Sequence, residues 1–97
     1  MYIGFLIVSP LDRGPSLSRF VKRAVEAIEG TGLSYQVTPM GTIIEAGSLE
    51  EIFSAARAAV DAVAGEGSQR ISLSLKVDIR FDKDISMDSK VRSIGRS

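Results

Sequence analysis

The spacing of apolar and polar residues predicts four strands and two helices in the order βαββαβ. Tyr2 to Ser9 is a continuous apolar run, typical of a strand that is covered on both faces. Leu33 to Thr38 and Thr42 to Ala46 predict a hairpin whose loop includes Gly41 in a left-handed conformation. From Arg70 to Asp82 apolar and polar residues alternate without interruption, which predicts a long last strand.

Residues at helical spacing separate the predicted strands. Ser16 can cap the first helix, and Ser48 with Glu51 three residues later forms a capping box for the second. Further apolar residues at helical spacing predict that 83–97 forms a C-terminal arm or a short helix. We expect residues 1–97 to form one domain.

The element order predicts a ferredoxin-like α+β sandwich, with a four-stranded antiparallel sheet and two helices on one face. Alternation along the first strand is expected to point Ile3, Phe5 and Ile7 toward the helices. The open face would then carry Tyr2, Leu6 and Val8, with a gap at Gly4. Because this surface would be apolar, we expect a second copy of the chain to cover it, in a homodimer or homotetramer.

Composition excludes several classes of chemistry. The chain contains no cysteine and no histidine, which excludes disulfides, thiolate nucleophiles, Cys/His zinc sites and imidazole catalysis. Its 12 Lys and Arg balance its 12 Asp and Glu, so we expect neither nucleic acid nor a membrane as partner. The first apolar run is too short to span a bilayer, and the expected location is the cytoplasm.

Charged side chains are predicted to gather on the open face of the sheet. Alternation along the last strand places Lys76, Asp78 and Arg80 there, and the second hairpin strand adds Glu45. A small ligand could bind among them. Alternation alone favours the simpler interpretation, a solvent-exposed strand face with cross-strand ion pairs, but position alone does not decide between the two.

One motif carries a resemblance to a known family. The sequence Tyr-x-x-Thr-Pro-Met-Gly-Thr-x-Ile-Glu, from Tyr35 to Glu45, together with Lys76 to Arg80, resembles the small ferredoxin-like thiamine-binding proteins. The resemblance covers nearly the whole chain and departs from the family pattern in the loop Leu11 to Pro15. It implies a cytoplasmic homo-oligomer, often a tetramer, that binds thiamine or its hydroxymethylpyrimidine moiety without turnover.

The chemistry of thiamine can be matched to residue types in the chain. Its thiazolium ring is a permanent cation, which the carboxylates of Glu45 and Asp78 or the aromatic face of Tyr35 could hold. Its aminopyrimidine ring needs hydrogen-bond partners, which hydroxyl side chains could supply. The predicted ligand-binding residues are Ser18, Tyr35, Thr38, Met40, Thr42, Glu45, Lys76, Asp78 and Arg80. Met40, at the hairpin tip, could equally contact a neighbouring subunit.

No residue pattern fixes a nucleophile or a metal site, so we expect a binding protein that is not an enzyme. No cofactor is expected, and thiamine is the candidate ligand. Two alternatives remain open. The chain could be an oligomeric assembly or regulatory module with no tightly bound ligand, or, less favoured, an enzyme that uses Glu45 and Asp78 as paired carboxylates.

Overall fold

The computed structural model describes residues 1–14, 17–82 and 87–94. Within them lie β1 (Tyr2–Pro10), α1 (Ser18–Glu29), β2 (Ser34–Thr38), β3 (Gly41–Ala46), α2 (Leu49–Gly65), β4 (Ile71–Ile79) and α3 (Met87–Ser93). This order confirms the predicted βαββαβ arrangement, and a short helix, α3, follows β4. The predicted cap Ser16 lies outside the described residues.

The four strands form one antiparallel sheet in the order β2-β3-β1-β4. Helices α1 and α2 pack against each other and against β1, on one face of the sheet. The core between helices and sheet contains Leu6, Phe20, Ala24, Ile28, Ile44, Ala46, Ile52, Ala55, Ala56, Ala59 and Val63. The predicted ferredoxin-like α+β sandwich is therefore confirmed.

The start of α2 has one half of the predicted capping box, the bond from the Glu51 backbone to the Ser48 side chain. The backbone N–H of Glu51 donates to Ser48 Oγ at 3.2 Å. The Ser48 hydroxyl in turn donates to Glu51 Oε1, also at 3.2 Å. These contacts satisfy a helix-end donor that would otherwise lack an intrahelical partner.

Strand β1 faces the opposite way from the prediction. Leu6 lies in the core, with Tyr2 and Val8 packed against it from the same strand face. Gly4 also faces the helices, since a Cβ at this position would lie 3.2 Å from Ile52 Cγ2 on α2. The prediction was wrong because every position of β1 before Ser9 is apolar or glycine, so alternation does not show which side chains face the helices. The absence of a side chain at Gly4, which lets α2 approach, favours the observed orientation.

The open face of β1 therefore carries Ile3, Phe5 and Ile7. Ile3 is buried, whereas Phe5 and Ile7 are half-buried. An apolar strip does run along this face as predicted, but different residues form it.

The β2–β3 hairpin turns through residues 39 and 40, because Thr38 pairs directly with Gly41. Gly41 does not have the predicted positive φ. Glycine is needed here for space instead. A Cβ on Gly41 would lie 2.7 Å from the carbonyl oxygen of Leu6 and 2.9 Å from Phe5 Cζ. The hairpin can approach β1 closely only because this side chain is missing.

Strand β4 ends at Ile79, earlier than the alternation predicted. Ile79 pairs with Tyr2, the first residue of β1, and Arg80 continues this pairing only through backbone hydrogen bonds of 3.3 Å with Met1. The guanidinium of Arg80 donates to both carboxylate oxygens of Asp82, at 2.8 and 2.7 Å. Alternation in the sequence thus continues past the end of the strand.

The loop that begins at Leu11, after β1, is hydrogen-bonded to the residues that precede β4. The Asp12 carboxylate accepts hydrogen bonds from Ser68 Oγ and from the backbone N–H of Gln69, both at 2.7 Å. The Ser68 bond, followed by the Gln69 bond, lowers the pKa of Asp12 below its ordinary value. The described part of this loop therefore anchors the end of β1 to the start of β4.

Candidate functional site

An acidic row crosses the open face of the sheet. Glu45 on β3 and Asp78 on β4 both pair with Ile3, which lies between them on β1. Their Cα atoms are about 10 Å apart, given a strand spacing of about 4.8 Å. This confirms that the two carboxylates share one face with β1 between them. The gap predicted there at Gly4 is filled by Ile3, which is 9% exposed.

Helix α3 lies against this acidic row. The backbone N–H of Met87 donates to Glu45 Oε1 at 2.6 Å, and the ammonium of Lys90 pairs with Asp78 Oδ2. The Lys90 hydrogen bond is the main cause that lowers the pKa of Asp78, against a smaller opposing effect of desolvation. Glu45 keeps its second oxygen, Oε2, without a hydrogen-bond partner in the described part of the chain.

The next row on the open face is aromatic and basic. Phe5 pairs with Ile43 on one side and Lys76 on the other. Lys76 has no ion-pair partner among residues 1–14, 17–82 and 87–94, and its charge contributes to the lowered pKa of Asp78. The sequence analysis did not include Phe5 among the candidate site residues, because it predicted that Phe5 points toward the helices.

Tyr35 and Ser18 lie away from the acidic row, and Arg80, near Asp78, is paired with another carboxylate. The Tyr35 hydroxyl, on the helix side, donates to Glu29 Oε2 at 3.1 Å, and this bond raises the pKa of Tyr35. Ser18 is exposed at the first residue of α1. Arg80 pairs with Asp82 rather than with Glu45, and this pairing raises the pKa of Arg80. The structure therefore does not gather all predicted residues into one site.

Thr38, Met40 and Thr42 line a separate groove at the end of the hairpin. The Thr38 hydroxyl donates to the carbonyl oxygen of Gly41 at 2.9 Å and accepts from the N–H groups of Met40 and Gly41 at 3.2 Å. Thr38 is thus occupied in holding the turn. Met40 is 74% exposed at the tip, whereas Thr42 is buried beneath α1.

The described residues contain neither a membrane span nor a metal cluster. No helix among them is both long and apolar enough to cross a bilayer. No group of three or more acidic side chains in the described ranges is placed to hold a metal ion.

Comparison with known proteins identifies the family. A family model described as thiamine-binding protein matches residues 5–95. This chain belongs to the thiamine-binding protein family. The match confirms the resemblance carried by the Tyr35 to Glu45 motif.

Individual relatives of this family member cover nearly all of its length. A UPF0045 protein of Methanothermobacter thermautotrophicus is 41% identical over 90 residues, covering 92% of this chain and 91% of the relative. The crystal structure of a hypothetical protein from Methanocaldococcus jannaschii superimposes with a TM-score of 0.90 at 33% identity, covering 99% of this chain and 97% of that chain. A candidate thiamine biosynthesis or salvage protein from Thermotoga maritima gives a TM-score of 0.81 at 26% identity, covering 96% and 97%.

Proposed function

We propose that this protein binds thiamine, or its hydroxymethylpyrimidine moiety, without catalysing a reaction. Membership of the thiamine-binding family supports a role in small-molecule binding. The observation that carries the proposal is the state of the Glu45 carboxylate. Glu45 is half-buried beside Ile3, and its Oε2 atom has no hydrogen-bond partner among the described residues. A partly desolvated carboxylate favours a cationic partner, and the thiazolium ring of thiamine is a permanent organic cation.

The surroundings of Glu45 suit such a cation. The aromatic ring of Phe5 lies one row away on the same face, and a cation over an aromatic ring gains about 0.5–2 kcal/mol. Because Lys90 already neutralises Asp78, Glu45 is the carboxylate of the acidic row that is left to pair with a cation. These features support a site on the open face in which Glu45 pairs with the thiazolium ring.

We also propose that a second copy of the chain covers this face, in a homodimer or homotetramer. Phe5, Ile7 and Ile43 form a half-buried apolar strip beside the acidic row. Burial of this strip against a symmetry-related copy would be favourable. It would also exclude water from the site and strengthen the pairing of Glu45 with a cation. The cytoplasmic location stays a prediction.

Calorimetry with thiamine tests the ligand proposal. We expect saturable binding to the wild type, with thiamine recovered unchanged. Glu45→Gln should weaken binding by about 10-fold or more, because it removes a charge-assisted contact while still able to accept the Met87 hydrogen bond. Glu50→Gln, at an exposed carboxylate on α2, is the matched control and should bind like the wild type. Equal affinity for Glu45→Gln would remove Glu45 from the site.

Light scattering at micromolar concentration tests the oligomer. We expect a dimer or tetramer for the wild type and a shift toward monomer for Phe5→Ser. A monomeric wild type would refute the covered open face. An oligomer that binds neither thiamine nor the free pyrimidine would favour the alternative, an assembly or regulatory module held together by this apolar strip.

A further inference from the structure

Strand β4 forms an open edge of the sheet, because the described residues place β1 on one side of it and no strand on the other. Arg80 exchanges backbone hydrogen bonds with Met1, just before β1. Near the other end, the N–H of Leu11 donates to the Arg70 carbonyl, so the even-numbered residues of β4 bond toward β1. The backbone groups of odd-numbered residues such as Val77 therefore point outward, where a further strand could pair with them.

The helix side of this edge is apolar and incompletely covered. Leu73 and Ile79 share a strand face with Leu75, which packs against the core, yet they are 46% and 37% exposed. Phe81, two residues beyond the strand, is 88% exposed, and its ring meets the Tyr2 ring edge-on with centroids 6.4 Å apart. A strand placed along this edge would therefore bury apolar side chains as well as pair with the backbone.

The alternation of apolar and polar residues continues past the end of β4, through Asp82. Such alternation is the pattern of a strand with one apolar and one polar face. Backbone pairing with β1 reaches no further than Arg80 in the part of the chain that the structure describes. A partner strand on the outer edge would give these last alternating residues a strand to pair with.

The charges of β4 fit a second copy of the same strand. When two antiparallel copies are related by a two-fold axis through Val77, Lys76 of each copy lies opposite Asp78 of the other. Opposite charges that face each other across two strands stabilise the pair. An axis through Lys76 or through Asp78 would instead place like charges opposite each other.

The same register covers the exposed apolar side chains. On the helix side every apolar residue then lies opposite another apolar residue. The pairs are Val77 with Val77, Leu75 with Ile79, and Leu73 with Phe81. An axis nearer the start of β4 would leave Phe81 outside the pairing, and an axis nearer the end would leave Leu73 outside. The register that pairs the charges is thus also the one that buries the apolar edge.

Lys76 makes this edge selective for its own copy. An exposed lysine on an edge strand normally disfavours pairing with another strand. Lys76 is exposed and has no ion-pair partner among the described residues. Opposite Asp78 of a second copy its charge would be neutralised, since the two oxygens of a carboxylate can accept from Lys90 and from Lys76 together.

We propose that two copies of this chain pair antiparallel through their β4 edges, about a two-fold axis at Val77, and so join their sheets into one. Each copy thereby brings its Lys76 to the end of the other copy's acidic row, beside Asp78. This interface goes beyond the proposed function, because it uses the sheet edge and requires neither Phe5 nor a ligand. A chain that has an edge interface and an open-face interface, each with its own two-fold axis, assembles as a tetramer.

Single-cysteine cross-linking tests the register, because the chain contains no cysteine of its own. In Val77→Cys the two thiols would face each other, with Cα atoms about 5.5 Å apart, which a disulfide can bridge. In Ser74→Cys the thiols would lie about 20 Å apart, since six residues of strand separate them. With diamide as oxidant we expect a covalent dimer for Val77→Cys and none for Ser74→Cys, although Ser74 is the more exposed position. A dimer with Ser74→Cys, or no dimer with either variant, would overturn the proposal.

Charge reversal tests the ion pairs, in a Phe5→Ser background that weakens the open-face interface. We expect Phe5→Ser to remain a dimer in analytical ultracentrifugation at micromolar concentration. Adding Lys76→Glu should raise the dimer dissociation constant about 10-fold or more, because two attractive charge pairs become repulsive. Adding Lys22→Glu instead, at an exposed lysine on α1, changes the net charge equally and should leave the dimer intact.

The outcomes separate this interface from the open-face one. A fully monomeric Phe5→Ser would overturn the edge interface and leave the proposed covering of the open face standing. Equal dissociation constants for the Lys76→Glu and Lys22→Glu variants would overturn the proposed register. Thiamine binding is not needed for any of these measurements, so their failure is distinguishable from failure of the proposed function.

Discussion

Replacement of Gly41 by alanine tests why the hairpin contains glycine at this position. The added Cβ would lie 2.7 Å from the backbone carbonyl oxygen of Leu6 and 2.9 Å from Phe5 Cζ. Phe5 can move its ring, but the carbonyl of Leu6 is part of the central strand of the sheet. The hairpin must therefore move away from β1, which weakens the pairing between β3 and β1.

The size of the effect follows from two opposing contributions. Forcing an extra methyl group into a packed region costs about 1–3 kcal/mol. Replacing glycine also reduces the conformational entropy of the unfolded chain, which returns about 0.4–1 kcal/mol. We therefore expect Gly41→Ala to lower the free energy of unfolding by about 1–2 kcal/mol. In a domain of this size, each kcal/mol corresponds to about 4–8 °C in melting temperature.

Urea unfolding at a fixed protein concentration measures this change, and Gly30→Ala is the control. Gly30 has right-handed helical angles, φ −64° and ψ −17°, and an added Cβ there would make ordinary contacts at 3.4 and 3.5 Å. This control should be stabilised by about 0.4–1 kcal/mol. Gly41→Asn adds a discriminating variant, because asparagine tolerates a left-handed conformation but not a steric clash. Wild-type stability in both Gly41 variants would refute the close-approach explanation.

Two further predictions concern the ends of the elements. Ser48→Ala removes the cap of α2 and should lower the free energy of unfolding by about 1 kcal/mol in the same urea assay, with Ser48→Thr retaining most of the stability. Asp12→Ala should destabilise the fold at neutral pH, and the difference from the wild type should shrink in acid. The folded-state pKa of Asp12 lies below its ordinary value of 3.8, so its contribution is present above that value and is lost as the pH falls through the folded pKa. A difference in urea midpoint that is the same at neutral and acid pH would contradict this assignment.

The element order and two of the strand orientations could be predicted because the sequence alternates clearly there. Thr42, Ile44 and Ala46 face the helices as expected, and Glu45 lies on the open face. Strand β1 gave no such signal, since all its positions before Ser9 are apolar or glycine. Its orientation depends on how closely α2 approaches Gly4, which is a tertiary contact.

The candidate site could be predicted only in part because the motif spans a hairpin. Side chains alternate between the two faces of a sheet, so a continuous motif contributes residues to both. Tyr35 pairs with Ile44 on the helix side, whereas Glu45 pairs with Ser34 on the open face. A motif that is continuous in sequence thus separates into an acidic surface and an uncharged groove.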